Sequence, residues 1–512
     1  MSLRTLSDIK LPVDKSEKEL FVLASKKLGK KPAYFAIKKK SLDARDKDNL
    51  RFVYTVEFSD TPVKKEEIPL EKLPAGKVPQ KPVLVVGSGP AGLFCALRLL
   101  ERGIRPIVIE RGAPVEERER KIDTFIATGA LDENTNVQFG EGGAGTFSDG
   151  KLNTQTHSKW NKEVLQTFVR FGAPEEILWL NKPHIGSDNL KKVVKNMREY
   201  IVKEGGQVRF HTRLEDIRIQ NGELVSATVN GESVEVSALV LAVGHSARDT
   251  FEKLLARGVK ASQKDFAVGV RIEHLQEKIS FAQYGKNYPL LPAADYKLVS
   301  HADERAVFTF CMCPGGFVMP ATSEKEGVVT NGMSNYARDG VNANSALIAQ
   351  VSRADFNSDS PLAGIEFQRK IERSAFTAGG GNYCAPVQRV EDFLAGKTSD
   401  KFGSVRATYG AGTRFCDLRA VLPDGVTTAL KKAIADMDSR MKGFADGDAL
   451  LTGAETRTSS PLRIERDETL QSPTATGLYP CGEGAGYAGG ITSAATDGLR
   501  VAEAIFARFY EK

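Results

Sequence analysis

The sequence predicts an α/β protein of three units: a parallel-sheet domain, a mixed α+β domain inserted into it, and a small α+β domain in front. Three observations carry this expectation. All the excess positive charge sits in the first eighty residues. A Gly87-x-Gly89-x-x-Gly92 stretch stands between an apolar strand-like run and a helix-like one. A second glycine-rich loop, "CGEGAGYAGG" (Cys481–Gly490), returns about four hundred residues later. The units are expected at residues 1–79, at 80–264 together with 441–512, and, as the insertion, at 265–440.

The first unit is set apart by its charge. Residues 1–80 hold 18 Lys and Arg against 12 Asp and Glu, whereas the other 432 residues hold 53 of each. "TLSDIKLPV" reads as a strand. "SEKELFVLASKKLG" places Leu20, Leu23, Ala24 and Leu28 at helical spacing behind Ser16, a good N-cap. "AYFAIKKKSL" and "LRFVYTVEF" alternate as half-buried strands do. The order strand, helix, strand, strand suggests a ferredoxin-like domain, and "TPVKKEEIPLEKLPAGKVPQKP" reads as a linker. The basic stretch 26–47 contains Tyr34 and Phe35, which raises the possibility of a nucleic-acid surface. It lacks the aromatic signature of RNA-recognition domains, so a solvated charged face is the expectation and no nucleic-acid partner is assigned.

Composition narrows the class. With 512 residues, 41% hydrophobic and 27% charged, the chain is a multidomain globular protein. No apolar run has the length of a membrane helix. "MSLRTLSDIK" has neither an apolar core nor a small-residue cleavage site, so no signal peptide is expected. Six scattered cysteines form no disulfide framework and point to the reducing cytoplasm. The six histidines are dispersed without acidic partners at ligand spacing, so no metal is expected.

The second unit opens with "KPVLVVGSGPAGLFCALRLLERGIRPIVIERG". Val83–Val86 reads as a buried parallel strand, Leu93–Leu100 as an apolar helix, and Ile107–Ile109 as the next strand. Gly87 permits the tight turn, Gly89 lets a pyrophosphate reach the backbone, and Gly92 lets helix and strand pack closely. Glu110 stands 18 residues after Gly92, where a carboxylate accepts ribose hydroxyls. Ser88, Pro90, Ala91 and Arg111 complete this expected Rossmann-like contact surface. No second strand–GxGxxG–helix unit follows, so a separate nicotinamide domain is not expected.

Three later stretches resemble flavoproteins of the glutathione-reductase type and imply FAD. "GEGGAGTFSDGKL" resembles the loop lining the pyrophosphate and isoalloxazine, which implicates Gly143, Gly145 and Thr146. "LVLAVGHSA" resembles the strand end near FAD and implicates Gly244. It follows "LEDIRIQNGELVSATV", where Asn221-Gly222 is a hairpin turn dipeptide and Leu214 is a further expected contact. "GLYPCGEGAGYAGGITSAATDGLRVAEAI" resembles the C-terminal flavin segment, which implicates Gly482, Glu483 at the ribityl-phosphate part, and Gly490 and Ile491 at the ring. With "FAVGVRIEH", "TFCMCPGG", "VVTNGMS" and "TGAETRTSSPLRI", these stretches resemble the bacterial family of uncharacterised FAD-dependent dehydrogenases.

That resemblance implies a cytoplasmic FAD-dependent oxidoreductase passing a hydride between non-covalent FAD and a small organic substrate or transient NAD(P)H. The rival readings are an RNA-associated flavoprotein, a flavin-binding regulator and a flavin monooxygenase. For the last, "AVGHSAR" carries Val243 where aromatic hydroxylases have an acidic residue. No catalytic residue is assigned. Cys311 and Cys313, two apart on one expected strand face, read as core residues before they read as a redox pair. His245 and His274 are weighed as proton donors against structural histidines, and Arg457 as an anion site against a hydrogen-bonded loop.

Overall fold

The structure, a computed structural model, describes residues 3–63 and 79–510. Of the expected linker, residues 64–78 lie outside the described residues. The first unit is a three-stranded antiparallel sheet of Arg4–Pro12, Arg51–Ser59 and Tyr34–Asp43, in that order, covered by one helix, Glu17–Leu28. Ser16 caps the helix by accepting from the Lys18 N–H at 3.3 Å, and Gly29, at φ +69°, ends it. Leu20 and Ala24 turn inward onto Ile9, Leu11, Tyr54 and Val56, a core of the unit's own. Among the described residues, the strand order is that of the first three strands of a ferredoxin-like sheet.

This unit touches both of the others. The Lys40 N–H donates to Trp179 O at 2.8 Å, and the Asn181 N–H donates to Lys40 O at 3.0 Å. Farther along, Lys47 Nζ donates to Ala282 O at 2.7 Å, and Asn287 Nδ2 to Lys47 O at 3.4 Å.

The second unit is a five-stranded parallel sheet in the order Leu478–Pro480, Ala238–Leu241, Val83–Val86, Pro106–Ile109, Gln207–Arg209. Runs such as VLVV and ALVL are buried along their whole length, as parallel strands covered on both faces must be. One face carries the helix Pro90–Glu101 and the C-terminal helix Ile491–Tyr510. The other carries an antiparallel meander of Leu214–Gln220, Glu223–Val229 and Glu232–Glu235. Its first turn is Asn221-Gly222, both at positive φ (53° and 77°), the conformation a two-residue hairpin needs.

The third unit is a seven-stranded sheet in the order Val299–Ser300, Val307–Cys313, Asn342–Val351, Phe266–Leu275, Leu450–Glu455, Ala385–Arg389, Thr413–Phe415. Val268, Val270 and Ile272 face the helices Ala363–Gly379 and Asp424–Arg440. Arg271, of opposite parity, faces the other side. Leu450–Glu455 pairs with Phe266–Leu275 and Ala385–Arg389, so the chain returns to the parallel sheet after residue 455. The boundary expected at 441 is therefore too early. A short, fully buried run such as LLTGAE suits either sheet, and only its pairing partners decide.

The two helices on the parallel sheet meet backbone to backbone. A Cβ on Gly498 would lie 2.1 Å from Ala91 O, closer than any real contact. Gly498→Val is therefore expected to lower stability by about 1–3 kcal/mol or more, read as an earlier midpoint in urea, with Gly498→Ala intermediate. An unchanged midpoint for both would mean that the helices do not approach this closely.

Candidate active site

A cavity of about 990 Å³ opens at the carboxyl ends of the parallel strands and extends to the seven-stranded sheet, at the upper end of the size of ligand pockets. Its first wall is the glycine turn. Gly87 follows the strand at φ +106°, donates to Ile109 O at 2.8 Å, and has no room for a Cβ, which would lie 2.3 Å from Ala242 O. On Gly92 a Cβ would meet Gly87 O at 1.9 Å. Gly89 differs: beside a Cβ there only Gly143 Cα lies within 4 Å, at 3.9 Å, and the position opens on the cavity. Pro90 begins the helix, and the helix start at Pro90 and Ala91 lines the cavity, so unpaired N–H groups and the positive dipole end face it. Bare backbone, space where side chains would stand, and a helix N-terminus fit the pyrophosphate of a dinucleotide.

Ser88, expected as a contact, lies outside the cavity lining, and it is bonded to Glu110. Glu110 Oε2 accepts from the Ser88 N–H at 3.0 Å and the Ser88 hydroxyl at 2.9 Å, and Oε1 accepts from the Gly112 N–H at 3.0 Å and the Gly140 N–H at 3.1 Å. A carboxylate has about four acceptor sites, and all are engaged. The side chain expected to accept ribose hydroxyls lines the cavity and also clamps three loops. Ser88 is held behind the wall by the same bonds, as Gly92 is by its packing. Arg111 and Leu214 do line the cavity. The Arg111 guanidinium lies 4.4 Å from the centre of the Phe139 ring and donates to Asp249 at 2.9 Å.

In the second loop Gly143 and Gly145 line the cavity, while Thr146 lies buried behind it, its Oγ1 donating to Glu141 O at 3.3 Å. The loop is shaped by Arg118. Its fully buried guanidinium donates to Asn136 O, Val137 O and Gly143 O at 2.9 Å, and to Glu141 O at 2.7 Å. Nothing in "VEERERKIDTF" separates Arg118 from its solvent-facing neighbours except helical phase, and the sequence reading missed it.

The far wall comes from the strand ends at Gly244 and Cys481. Gly244, Glu483, Gly490 and Ile491 line the cavity. Gly482 sits behind it, its N–H donating to Asp497 at 2.8 Å. A Cβ on Gly489 or Gly490 would have no neighbour within 4 Å, so both face open cavity where the C-terminal helix begins. Glu483 stands 3.9 Å from His245 Nε2, too far for a hydrogen bond. Burial pushes its carboxyl up to about 7, opposed by Lys264 and assisted by the charge of Cys311. Burial, then Arg457 and Arg248, push His245 down to about 3, so the imidazole is neutral. The Ser246 hydroxyl donates to Gln138 at 3.1 Å and lies 3.2 Å from His245 Nδ1. Its one proton being spent, Nδ1 must be the donor, which leaves the Nε2 lone pair towards Glu483.

The other candidates divide. The His274 Nε2–H donates to Phe444 O, 2.8 Å away, against the Phe444 ring and outside the cavity, so it is structural. Arg457 reaches the cavity wall, but two of its nitrogens donate to Glu372 at 3.0 and 3.1 Å and the third to Ser323, which favours the hydrogen-bonded loop over the anion site weighed against it. Cys311 faces the cavity, while Cys313 is fully buried and lies outside its lining. The expected shared strand face is broken by a bulge between Phe310 and Cys313.

Residues 82–278 match the family described as FAD binding domain, and residues 265–458 the family described as FAD-dependent protein, C-terminal domain-like. Residues 4–59 match a domain of unknown function. An uncharacterized protein of Clostridium beijerinckii is 49% identical over 490 residues, 92% of each chain. Among solved structures, a flavin-dependent brominase aligns at TM-score 0.40 and 12% identity over 84% of this chain and 80% of that one. A glycine oxidase from Bacillus cereus aligns at TM-score 0.34 and 9% identity over 84% and 98%. With the glycine cradle and the parallel sheet, the family matches define the class, an FAD-dependent oxidoreductase. The chain belongs to the bacterial family of FAD-dependent proteins that includes the Clostridium beijerinckii relative.

Glu110→Ala is expected to lose most bound FAD. A clamp and a ribose contact differ in the flavin-free protein: removing a clamp strands buried donors at about 1–3 kcal/mol each, so apo Glu110→Ala should melt well below apo wild type. Equal melting of the two apoproteins would return Glu110 to the ribose. A second expectation concerns pH. Glu483 keeps a proton up to about 7 in the folded chain but releases it near 4.5 when unfolded, so the stability it contributes is complete below 4.5 and is lost as pH rises to about 7. Glu141 and Glu455, also raised to about 7, act in the same window. Glu483→Gln should flatten the fall in apoprotein stability across this window by at most about 3 kcal/mol, at ~1.36 kcal/mol per pH unit. Denaturant titrations at pH 5, 6, 7 and 8 measure it, and an unchanged slope would contradict the raised carboxyl.

Proposed function

We propose that the protein is a cytoplasmic enzyme that passes a hydride between FAD and a small organic substrate, or a transiently bound NAD(P)H. The observation that carries this reading is the shape of the cavity. It is lined by the glycine cradle and also by the polar side chains of Cys311, Asn331, Glu455, His245 and Glu483. In this reading the pyrophosphate lies at Gly89 and the first turn of the Pro90–Glu101 helix, and the adenosine end lies towards Arg111 and Leu214. The flavin ring lies towards Gly490 and Ile491, where the start of the C-terminal helix favours negative charge. The bound flavin supplies two-electron chemistry. The protein positions the substrate and handles its proton: neutral His245 offers a lone pair at Nε2, and Glu483 titrates near neutrality, so between them a proton can be taken up or returned.

A single cradle among the described residues favours a nicotinamide that visits over one that resides. Anaerobic addition of NADH and of NADPH to the purified protein is expected to bleach the flavin absorbance with one of them, at a rate that falls in Glu483→Gln and His245→Ala. Bleaching by neither nicotinamide would restrict the donor to an organic substrate. Failure of every donor, with FAD bound, would overturn the enzyme reading, and stoichiometric oxygen uptake with a hydroxylated product would favour a monooxygenase.

A further inference from the structure

We propose that Cys311 and Cys313 form a dithiol–disulfide pair on the wall of the FAD cavity and exchange an electron pair with the flavin. The strand Val307–Cys313 runs in register with Asn342–Val351 as far as Phe310↔Ala346, and its next pair is Cys313↔Asn344. Two residues stand where the partner strand has one. Cys311 takes up the excess at φ +42°, a left-handed conformation that costs a β-branched or bulky residue more than it costs cysteine. In a regular strand, residues two apart have Cα atoms about 6.4–6.8 Å from each other, at the outer limit of disulfide geometry. The bulge bends the chain between the two cysteines and relieves that limit.

Basic side chains hold the bulge from both sides. Arg271, fully buried, donates to Cys311 O at 2.5 Å and reaches Cys313 Sγ at 3.5 Å. Its other nitrogens are fixed by Asn344 at 2.8 Å and Glu455 at 2.9 Å. Lys151, from the flavin-side loop, donates to Met312 O. The Cys313 thiol donates to Cys311 O at 3.2 Å. One thiol therefore opens on the cavity, the other stands directly behind it, and one guanidinium touches the backbone of the first and the sulfur of the second. The neighbouring Cys313 side chain, then Arg271 and Lys151, hold the Cys311 thiol below the usual thiol range, against burial and Asp149. Cys311 is thus the sulfur poised to attack or be attacked, and Cys313 the resolving partner.

The exchange balances. In reduction the S–S bond breaks, the two sulfurs take two electrons, and two protons complete the thiols. The electrons and a proton come from reduced flavin, which returns to its oxidised state, and the second proton comes from solvent or from a cavity carboxyl. Oxidation of the dithiol runs in reverse. The pair rests on the FAD reading only for its electron partner.

The test uses full-length, FAD-loaded protein. Poised in oxidised dithiothreitol and then alkylated, the peptide carrying both cysteines is expected to escape alkylation and to have lost two hydrogens. Poised in reduced dithiothreitol, it is expected to take up two alkyl groups. Anaerobic reductive titration of the oxidised wild type should consume twice the electron equivalents that the flavin alone accepts. Cys311→Ser, Cys311→Ala and Cys313→Ala should consume the flavin's share only while retaining FAD. Cysteines that stay alkylatable after oxidation would overturn the proposal, as would equal electron uptake by wild type and variants. A protein that purifies without flavin would refute the cofactor reading, yet the alkylation result on the same sample would still decide whether the pair forms.

Discussion

Glu110 stands at the carboxyl end of the parallel sheet where three loops meet, and its hydrogen bonds set how far apart those loops lie. One oxygen fixes Ser88 in the glycine turn, and the other fixes Gly112 and Gly140. The turn positions the Pro90–Glu101 helix, that helix receives the backbone of the C-terminal helix at Gly498, and the C-terminal helix starts at the cavity. A single buried carboxylate thus fixes the near wall directly and the far wall through two helices. Burying the charge is tolerable because each oxygen has two donors.

Arginines organise the remainder in the same manner. Arg118 gathers four carbonyls into the second loop, and Arg271 ties the bulge to Asn344 and Glu455. Arg248 and Arg457 share Glu372. Arg457 of this group reaches the cavity wall, and the two guanidiniums add to burial in keeping His245 neutral. Buried ion pairs of this kind are weak contributors to stability, and here they set the charge state of the cavity wall.

Much of the fold was legible because its signals are local. The run Val83–Val86, the glycine turn, the Ser16 cap and the Asn221-Gly222 hairpin each declare themselves within a few residues. What the sequence concealed depends on partners far along the chain. LLTGAE has the same composition whichever sheet takes it. Glu110 has the spacing of a ribose acceptor, but its donors include Gly140, thirty residues away. Cys311 and Cys313 looked like strand neighbours because a bulge is defined by the opposing strand, not by its own residues. Of the expected FAD contacts, those that line the cavity and those that brace it could not be told apart from spacing alone: Ser88, Gly92, Thr146 and Gly482 brace.

The N-terminal unit bears on a different property of the enzyme. It is bonded through Lys40 to Trp179 and Asn181 on the parallel-sheet side, and through Lys47 to Ala282 on the inserted side. The Lys182–Asp295 pair, between two cavity-lining residues, crosses the same seam at 2.8 Å. A strap across both halves resists their separation. The consequence is one of residence time: whatever leaves the cavity only by parting the two halves must first break the bonds of the strap, regardless of its equilibrium affinity.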